Sequence, residues 1–189
     1  MTPGRYAVGV DPSLTCTGVA IIDTLTRNIS IHRVTTVNTG PTLKARRDRM
    51  RDAIAGILAP IPRAVGVTLI EVPHSAHQFG AQNERVALYW WLVDQLLARG
   101  PVVEVAPSQR AKLATGNGRA DKRAVLRTMR DAYPEVRVID DNVADALALA
   151  AAGARWLGAP TQSYNDGQAA VYRTITWPTR QAIPTQRGA

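Results

Sequence analysis

A chain of 189 residues with 46% apolar side chains is long enough for one well-buried domain and too short for two, and its composition excludes disorder throughout. No apolar run approaches the roughly 20 residues that span a bilayer, and Asp11 interrupts the early apolar stretch, so we expect neither a membrane protein nor a secretory leader. The formal net charge of +8 favours a polyanionic partner such as nucleic acid.

The first half of the chain predicts three strands, a helix and a fourth strand. Residues 6–10, 18–23 and 29–37 are short apolar or alternating segments, and the short links between them predict an antiparallel meander. Residues 42–59 have a helical period with a basic face, and prolines follow at once. Residues 65–72 form a nearly continuous apolar run, which is typical of a strand buried on both faces.

The second half alternates helices with one more strand. A helix is predicted over 81–98, and its centre is apolar on every side, so it is either deeply enclosed or in contact with another protomer. A strand follows at 102–106. We then predict three helices, at 107–114, 121–132 and 142–157, and a short extended piece at 136–139 between the last two. A meander followed by strands alternating with helices gives an α/β fold with a five-stranded mixed sheet and helices on both faces.

The composition changes near the C-terminus. From about Pro160 the chain is rich in Thr, Gln, Pro and Arg without a clear period. We therefore predict one domain over residues 1–158 and an irregular tail over 159–189, pinned at Trp177. The lone cysteine, Cys16, cannot form an internal disulfide, which fits a reducing cytoplasm, and we interpret it as a small, partly buried residue.

Three carboxylates stand in apolar surroundings. Asp11 ends the first strand, Glu71 lies in the most apolar strand, and Asp145 lies on the apolar last helix. A buried carboxylate needs a cation, a basic partner or a cage of hydrogen bonds, and any one of these acids could equally be paired with an arginine. If the first and fourth strands are parallel neighbours, all three acids converge on one spot. Hard oxygen donors of this kind suit Mg²⁺ or Mn²⁺ rather than zinc.

A fourth ligand is predicted at the start of the last helix. Asp141 and Asn142 precede Asp145 by four and three residues, so both can share its helical face. We predict Asp141 as the ligand. N-capping of the helix is the alternative for Asp141 and for its neighbour Asp140.

Four ordered segments resemble one family, the RuvC-type Holliday-junction resolvases of the RNase H-like superfamily. Residues 9–18 resemble the family's opening G-[IV]-D-P-[GS], and Glu71 its second acidic position. Residues 115–122 resemble the G-x-G-x-A-x-K segment, and residues 141–148 resemble the terminal acidic helix, especially in its bacteriophage variants. The likeness spans about residues 5–157. One departure is Asn142, where cellular members usually have Asp or His.

The resemblance implies a homodimeric endonuclease that binds four-way DNA junctions and cuts two opposed strands in the cytoplasm of a bacterium or a phage-infected host. It implies two Mg²⁺ per active site, replaceable by Mn²⁺, held by Asp11, Glu71, Asp145 and, as predicted above, Asp141. One ion would activate water and the other would stabilise the leaving 3′ oxygen. Neither a membrane nor a small-molecule substrate is expected.

The DNA contacts are predicted mainly in the glycine-rich segment, where glycines let the backbone approach a phosphate and basic side chains add charge. In the loop after Glu71, His74 or Phe79 could stack at the junction centre. Arg110 and Arg123 could extend the basic surface. The residues that we predict to contact DNA are Lys112, Gly116, Gly118, Arg119, Lys122 and His74.

Two alternatives to junction cleavage remain open. The same metal site could serve a nuclease acting on RNA or on flaps and forks, because substrate shape is read by loops and dimer geometry. The chain could also be an inert nucleic-acid-binding protein that keeps the fold. An actin-like ATPase is excluded because it needs a second domain of this kind, for which the chain has no room.

Overall fold

The computed structural model describes residues 4–73 and 82–179. Within them lie five strands: β1 (Tyr6–Asp11), β2 (Cys16–Asp23), β3 (Ile29–Thr35), β4 (Val67–Glu71) and β5 (Val102–Val105). The helices are α1 (Leu43–Leu58), α2 (Gln82–Leu97), α3 (Pro107–Thr115), α4 (Lys122–Ala132), α5 (Asp141–Trp156) and α6 (Asp166–Thr174). None of the helices in these two ranges is long and apolar enough to cross a bilayer.

The five strands form one mixed sheet in the order β3-β2-β1-β4-β5. β1 and β2 pair antiparallel, as do β2 and β3, which confirms the predicted meander. β1 pairs parallel with β4, and β4 with β5. The carboxyl ends of β1, β4 and β5 therefore meet at one edge of the sheet, and this edge carries the site described below.

Two hydrophobic cores cover the two faces of the sheet, because successive strand residues point to opposite sides. On β1, Ala7 joins the core beneath α3, α4 and α5, whereas Val8 and Val10 join the core beneath α1 and α2. Helices on both faces confirm the predicted layers. Of the two alternatives for α2, deep enclosure does not hold within the single chain, because Trp90 on its outer side is 60% exposed.

Two glycines bring α5 into direct backbone contact with the sheet. A Cβ at Gly9 of β1 would overlap the carbonyl oxygen of Ala146, and one at Gly18 of β2 would overlap that of Asn142. Since the strands carry no side chain at these two points, the helix can lie directly on them. Asp145 lies between the two contact points in sequence, so this packing fixes its height above the sheet.

Two predicted segments differ from the structure. Residues 136–139 are not a strand; their chain only links α4 to α5. The predicted irregular tail contains α6, which begins with a reciprocal capping box between Asn165 and Gln168. Only two residues of α6 are buried, Gln168 and Val171, and the first of these is polar. A single apolar position does not produce a recognisable helical period, so the sequence pattern did not predict this helix.

Candidate active site

The ends of two strands and one helix bring the predicted carboxylates together. Asp11 is the last residue of β1 and Glu71 the last residue of β4, and the preceding residues Val10 and Ile70 are partners in the parallel register. Asp145 comes from α5, which lies across β1, and its side chain is 3% exposed. The sheet topology therefore gathers acids that are 60 and 74 residues apart in the chain (71 − 11 and 145 − 71).

The three acids influence one another electrostatically. Burial raises the pKa of Asp11 well above its usual range, and the charges of Glu71 and Asp145 raise it further. Burial also raises the pKa of Asp145, to about 7, even though Arg110 opposes the shift. Carboxylates with raised pKa values in a cleft mark a site that would hold cations or protons tightly.

One arginine bridges two of these acids. The Arg110 Nε donates to Glu71 Oε2 at 2.6 Å, and its Nη1 lies 2.8 Å from Asp145 Oδ1. The second approach lacks hydrogen-bond geometry, so Asp145 Oδ1 is buried without a hydrogen-bond partner among the described residues. The alternative of arginine pairing thus holds in part for two of the acids. No ion pair of the described residues involves Asp11.

The chemistry of the donors fits a divalent cation, although their present arrangement is not a coordination shell. Among residues 4–73 and 82–179, no three Asp, Glu, His or Cys side chains are arranged to hold a metal ion. If all three acids were ionised, the single guanidinium of Arg110 would leave two of their negative charges without a direct partner. With the orphaned oxygen of Asp145, this excess is what a hard dication neutralises. Binding would require Arg110 to release Glu71 and Asp145.

The start of α5 separates the candidates for a fourth ligand. Asp140 is the N-cap, since its carboxylate accepts from the backbone of Val143 at 3.1 Å. Asp141 instead pairs with Lys122, whose hydrogen bond and charge hold the pKa of this carboxyl low despite its partial burial. The Asn142 amide donates to the sulfur of Cys16 at 3.3 Å. Asp141 is thus not the cap. Its charge raises the pKa of Asp145, and its role as a metal ligand stays a prediction.

The glycine-rich segment reaches the same edge through α4. Lys122 is the first residue of α4, and its ammonium pairs with Asp141. Arg119 and Arg123 are exposed, and Lys112 is partly buried on α3. The missing side chain of Gly116 is explained by a contact with α6, since a Cβ there would overlap Asn165. The left-handed backbone of Gly116 (φ = 85°) and this contact give the glycine a structural reason, and its predicted contact with DNA stays a prediction.

Two further cations belong to the site, and the sequence analysis did not place either of them there. Arg110 was predicted only as part of a basic surface; the parallel register that sets Val105 beside Glu71 brings the start of α3 to the acids. Arg85 of α2 lines a cleft of about 150 Å³ together with Asp11, Glu71 and Leu88. Arg85 precedes Leu88 by three residues, so the two side chains share one face of α2, and this face lines the cleft. His74 and Phe79 lie outside the described residues.

Comparison with known proteins gives a consistent result. The family model described as crossover junction endodeoxyribonuclease RuvC matches residues 7–152. The protein of that name from Methylocella silvestris is 30% identical over 149 residues, covering 76% of this chain and 82% of its own. The corresponding protein of Rhizobium etli is 29% identical over 148 residues, with 76% and 85% covered.

Solved structures show the same fold. The structure of Thermus thermophilus RuvC aligns with a TM-score of 0.57 at 19% identity, covering 82% of this chain and 97% of that one. The structure of T. thermophilus RuvC in complex with a Holliday junction substrate aligns with a TM-score of 0.53 at 23% identity and the same coverage. With the family match over most of the sequence, these likenesses lead to one conclusion: the chain belongs to the RuvC family of crossover junction endodeoxyribonucleases.

Proposed function

We propose that this protein resolves four-way DNA junctions by hydrolysing two phosphodiester bonds in a reaction that depends on Mg²⁺. The convergence of Asp11, Glu71 and Asp145 at one sheet edge is the observation that carries the proposal. The charges of Glu71 and Asp145 raise the pKa of Asp11, and such crowding of acids is costly in an inert core, so it favours an enzyme over a binding protein that merely keeps the fold. The solved relative bound to a Holliday junction supports a branched DNA substrate.

Each side chain has a task that follows from its position. Asp11, Glu71 and Asp145 would hold two divalent ions, with Asp141 as the proposed fourth ligand. When bound, such ions supply an activated water and neutralise charge on the leaving oxygen. Among the described residues no three acids, these included, are yet arranged as a coordination shell, so metal binding would require these side chains to shift.

The cations around the acids would hold the DNA. Arg85 lines the cleft beside Asp11, where a guanidinium can pair with a phosphate oxygen. Arg119 is exposed at the turn before α4, and Lys112 lies on the preceding helix. Lys122 pairs with Asp141 and could exchange this partner for a phosphate. Contacts of this kind position the backbone and do not read sequence.

Symmetric cleavage requires two active sites, so we propose a homodimer formed through α2. Its outer side presents an apolar patch that one protomer leaves in water: Val86, Trp90, Trp91 and Leu97. Large apolar side chains clustered on one helix are typical of an interface. A two-fold axis beside this helix would place the two clefts on opposed strands of a junction.

The test is cleavage of end-labelled synthetic substrates in Mg²⁺: a four-way junction, a fork, an RNA–DNA hybrid and a plain duplex. We expect paired nicks in the junction, lost in Asp11→Asn and in Glu71→Gln while junction binding persists. Asp131→Asn, an exposed acid on α4, is the matched control and should cleave normally. Preferential cutting of the hybrid or the fork would reassign the substrate, and undiminished cutting by Glu71→Gln would remove the active-site assignment.

A further inference from the structure

The segment that follows the family match, which includes α6, packs against the C-terminal end of α3. Gln168 of α6 is 5% exposed, and its amide nitrogen donates to the carbonyl oxygens of Leu113 at 2.8 Å and Ala114 at 3.1 Å. The Asn165 amide donates to the carbonyl of Thr115 at 3.3 Å. The last carbonyls of a helix have no partner within it, so two side chains from α6 satisfy three successive ones.

The turn that leaves α3 also lies directly against α6. Gly116 has φ = 85°, the left-handed conformation that ends many helices and that glycine adopts without strain. A Cβ at Gly116 would overlap the side chain of Asn165, and one at Gly167 would overlap the backbone of Gly116. The contact therefore leaves no room for the turn to shift toward α6.

The side chains of Asn165 and Gln168 that bind α3 are also held in place by hydrogen bonds to each other's backbone. The side-chain oxygen of Gln168 (Oε1) accepts from the backbone N–H of Asn165 at 2.9 Å. In return, the side-chain oxygen of Asn165 (Oδ1) accepts from the backbone N–H of Gln168 at 2.9 Å. This capping box starts α6, while the amide nitrogens of the same residues hold α3. Further along, Trp177 stacks on Trp156 of α5 with ring centroids 5.9 Å apart, which fastens the far end of the segment.

The other side of the turn leads to the proposed DNA contacts. The Thr115 hydroxyl accepts from the backbone of Asn117, and the Asn117 side chain accepts from the backbone of Arg119, each at 3.0 Å. Asp121 then caps α4, whose first residue is Lys122. Short local bonds thus join α3 rigidly to α4, and α6 determines where this rigid piece starts.

We propose that Gln168 and Asn165 are positioning residues for DNA binding: α6 holds the 115–122 turn in the conformation that presents Arg119 and Lys122 to a junction. The proposal rests on the function proposed above. A binding element fixed in advance loses less conformational entropy on association, so the contact should appear in the affinity for DNA and not in the chemical step.

The experiment compares full-length variants by junction affinity, single-turnover cleavage and amide hydrogen exchange. Gln168→Leu replaces the amide by an apolar side chain of similar size; it removes both bonds to α3 and also the capping-box bond to the backbone of Asn165. We expect its junction Kd to rise about tenfold, which is equivalent to about 1.4 kcal/mol of binding free energy. The cleavage rate at saturating DNA should be unchanged. Exchange at residues 116–120 should become faster. Asn165→Ala, a milder change, should shift the Kd in the same direction if Gln168→Leu does not fold.

Two controls separate this proposal from the one on which it depends. Ile57→Val lowers stability from the opposite face of the sheet and should leave the Kd unchanged. If Lys122→Ala and Arg119→Ala bind the junction like the wild type, the proposed DNA surface itself is wrong. If they bind weakly while Gln168→Leu and Asn165→Ala bind normally, or if Ile57→Val weakens binding equally, the positioning role is overturned.

Discussion

The buried carboxylate of Asp145 should make the metal-free protein less stable as pH rises. Its pKa is raised by burial from 3.8 to about 7, so the folded state holds this proton more tightly than the unfolded state does. Between these values the unfolded chain has fewer protons bound at this site, and stability therefore falls with increasing pH. The effect is small below about pH 4 and complete above about pH 7.

Asp145→Asn keeps the size of the side chain and removes the titration. A pKa raised from 3.8 to about 7 corresponds to an upper limit of about 4 kcal/mol, of which about 2–3 kcal/mol falls between pH 5 and pH 8. The attraction between Arg110 and the ionised carboxylate lowers the pKa of Asp145 and is therefore already contained in the value of about 7. We therefore expect the free energy of unfolding of the variant, relative to the wild type, to rise by about 2–3 kcal/mol from pH 5 to pH 8.

Urea unfolding in EDTA at pH 5, 6, 7 and 8 measures this difference. In a domain of this size it corresponds to a relative shift in Tm of about 5–10 °C. Asp131→Asn, an exposed acid, should show no such trend. A relative stability of Asp145→Asn that stays constant or falls with pH would refute the argument that this carboxylate is buried with too little compensation.

Three further predictions follow from contacts in the same structure. Arg110→Gln should bind Mn²⁺ several-fold more tightly in calorimetric titration, because no guanidinium then occupies Glu71, while its metal-free form unfolds at lower urea concentration; weaker metal binding would contradict the competition. Trp90→Glu should convert a dimer into a monomer in light scattering at micromolar concentration, whereas Leu25→Asp, at an exposed apolar residue outside α2, should not; a wild type that is already monomeric would remove the proposed interface. Gly18→Ala should cost more than about 3 kcal/mol in urea unfolding, since its Cβ would overlap the backbone of α5, and a cost below about 1 kcal/mol would show that the helix can move aside.

Local pattern was sufficient for most of the elements. Strands and helices follow from hydrophobic periods of 2 and 3.6 residues, which neighbouring side chains carry by themselves. Asp11, Glu71 and Asp145 could be found because an acid in an apolar segment is costly wherever the segment folds. Their family motifs are likewise short and continuous in the chain. These features needed no knowledge of which segment lies beside which.

Contacts between distant segments were decided only by the tertiary structure. Arg110 is 39 residues from Glu71 in the chain, and nothing in its own neighbourhood distinguishes it from the other arginines. Gly116 packs against Asn165 and Gly167, 49 and 51 residues later in the chain (165 − 116 and 167 − 116), a contact that its immediate neighbours do not indicate. A residue's local preference is set by its immediate neighbours, whereas its partner is set by how the sheet and helices bring remote backbone together.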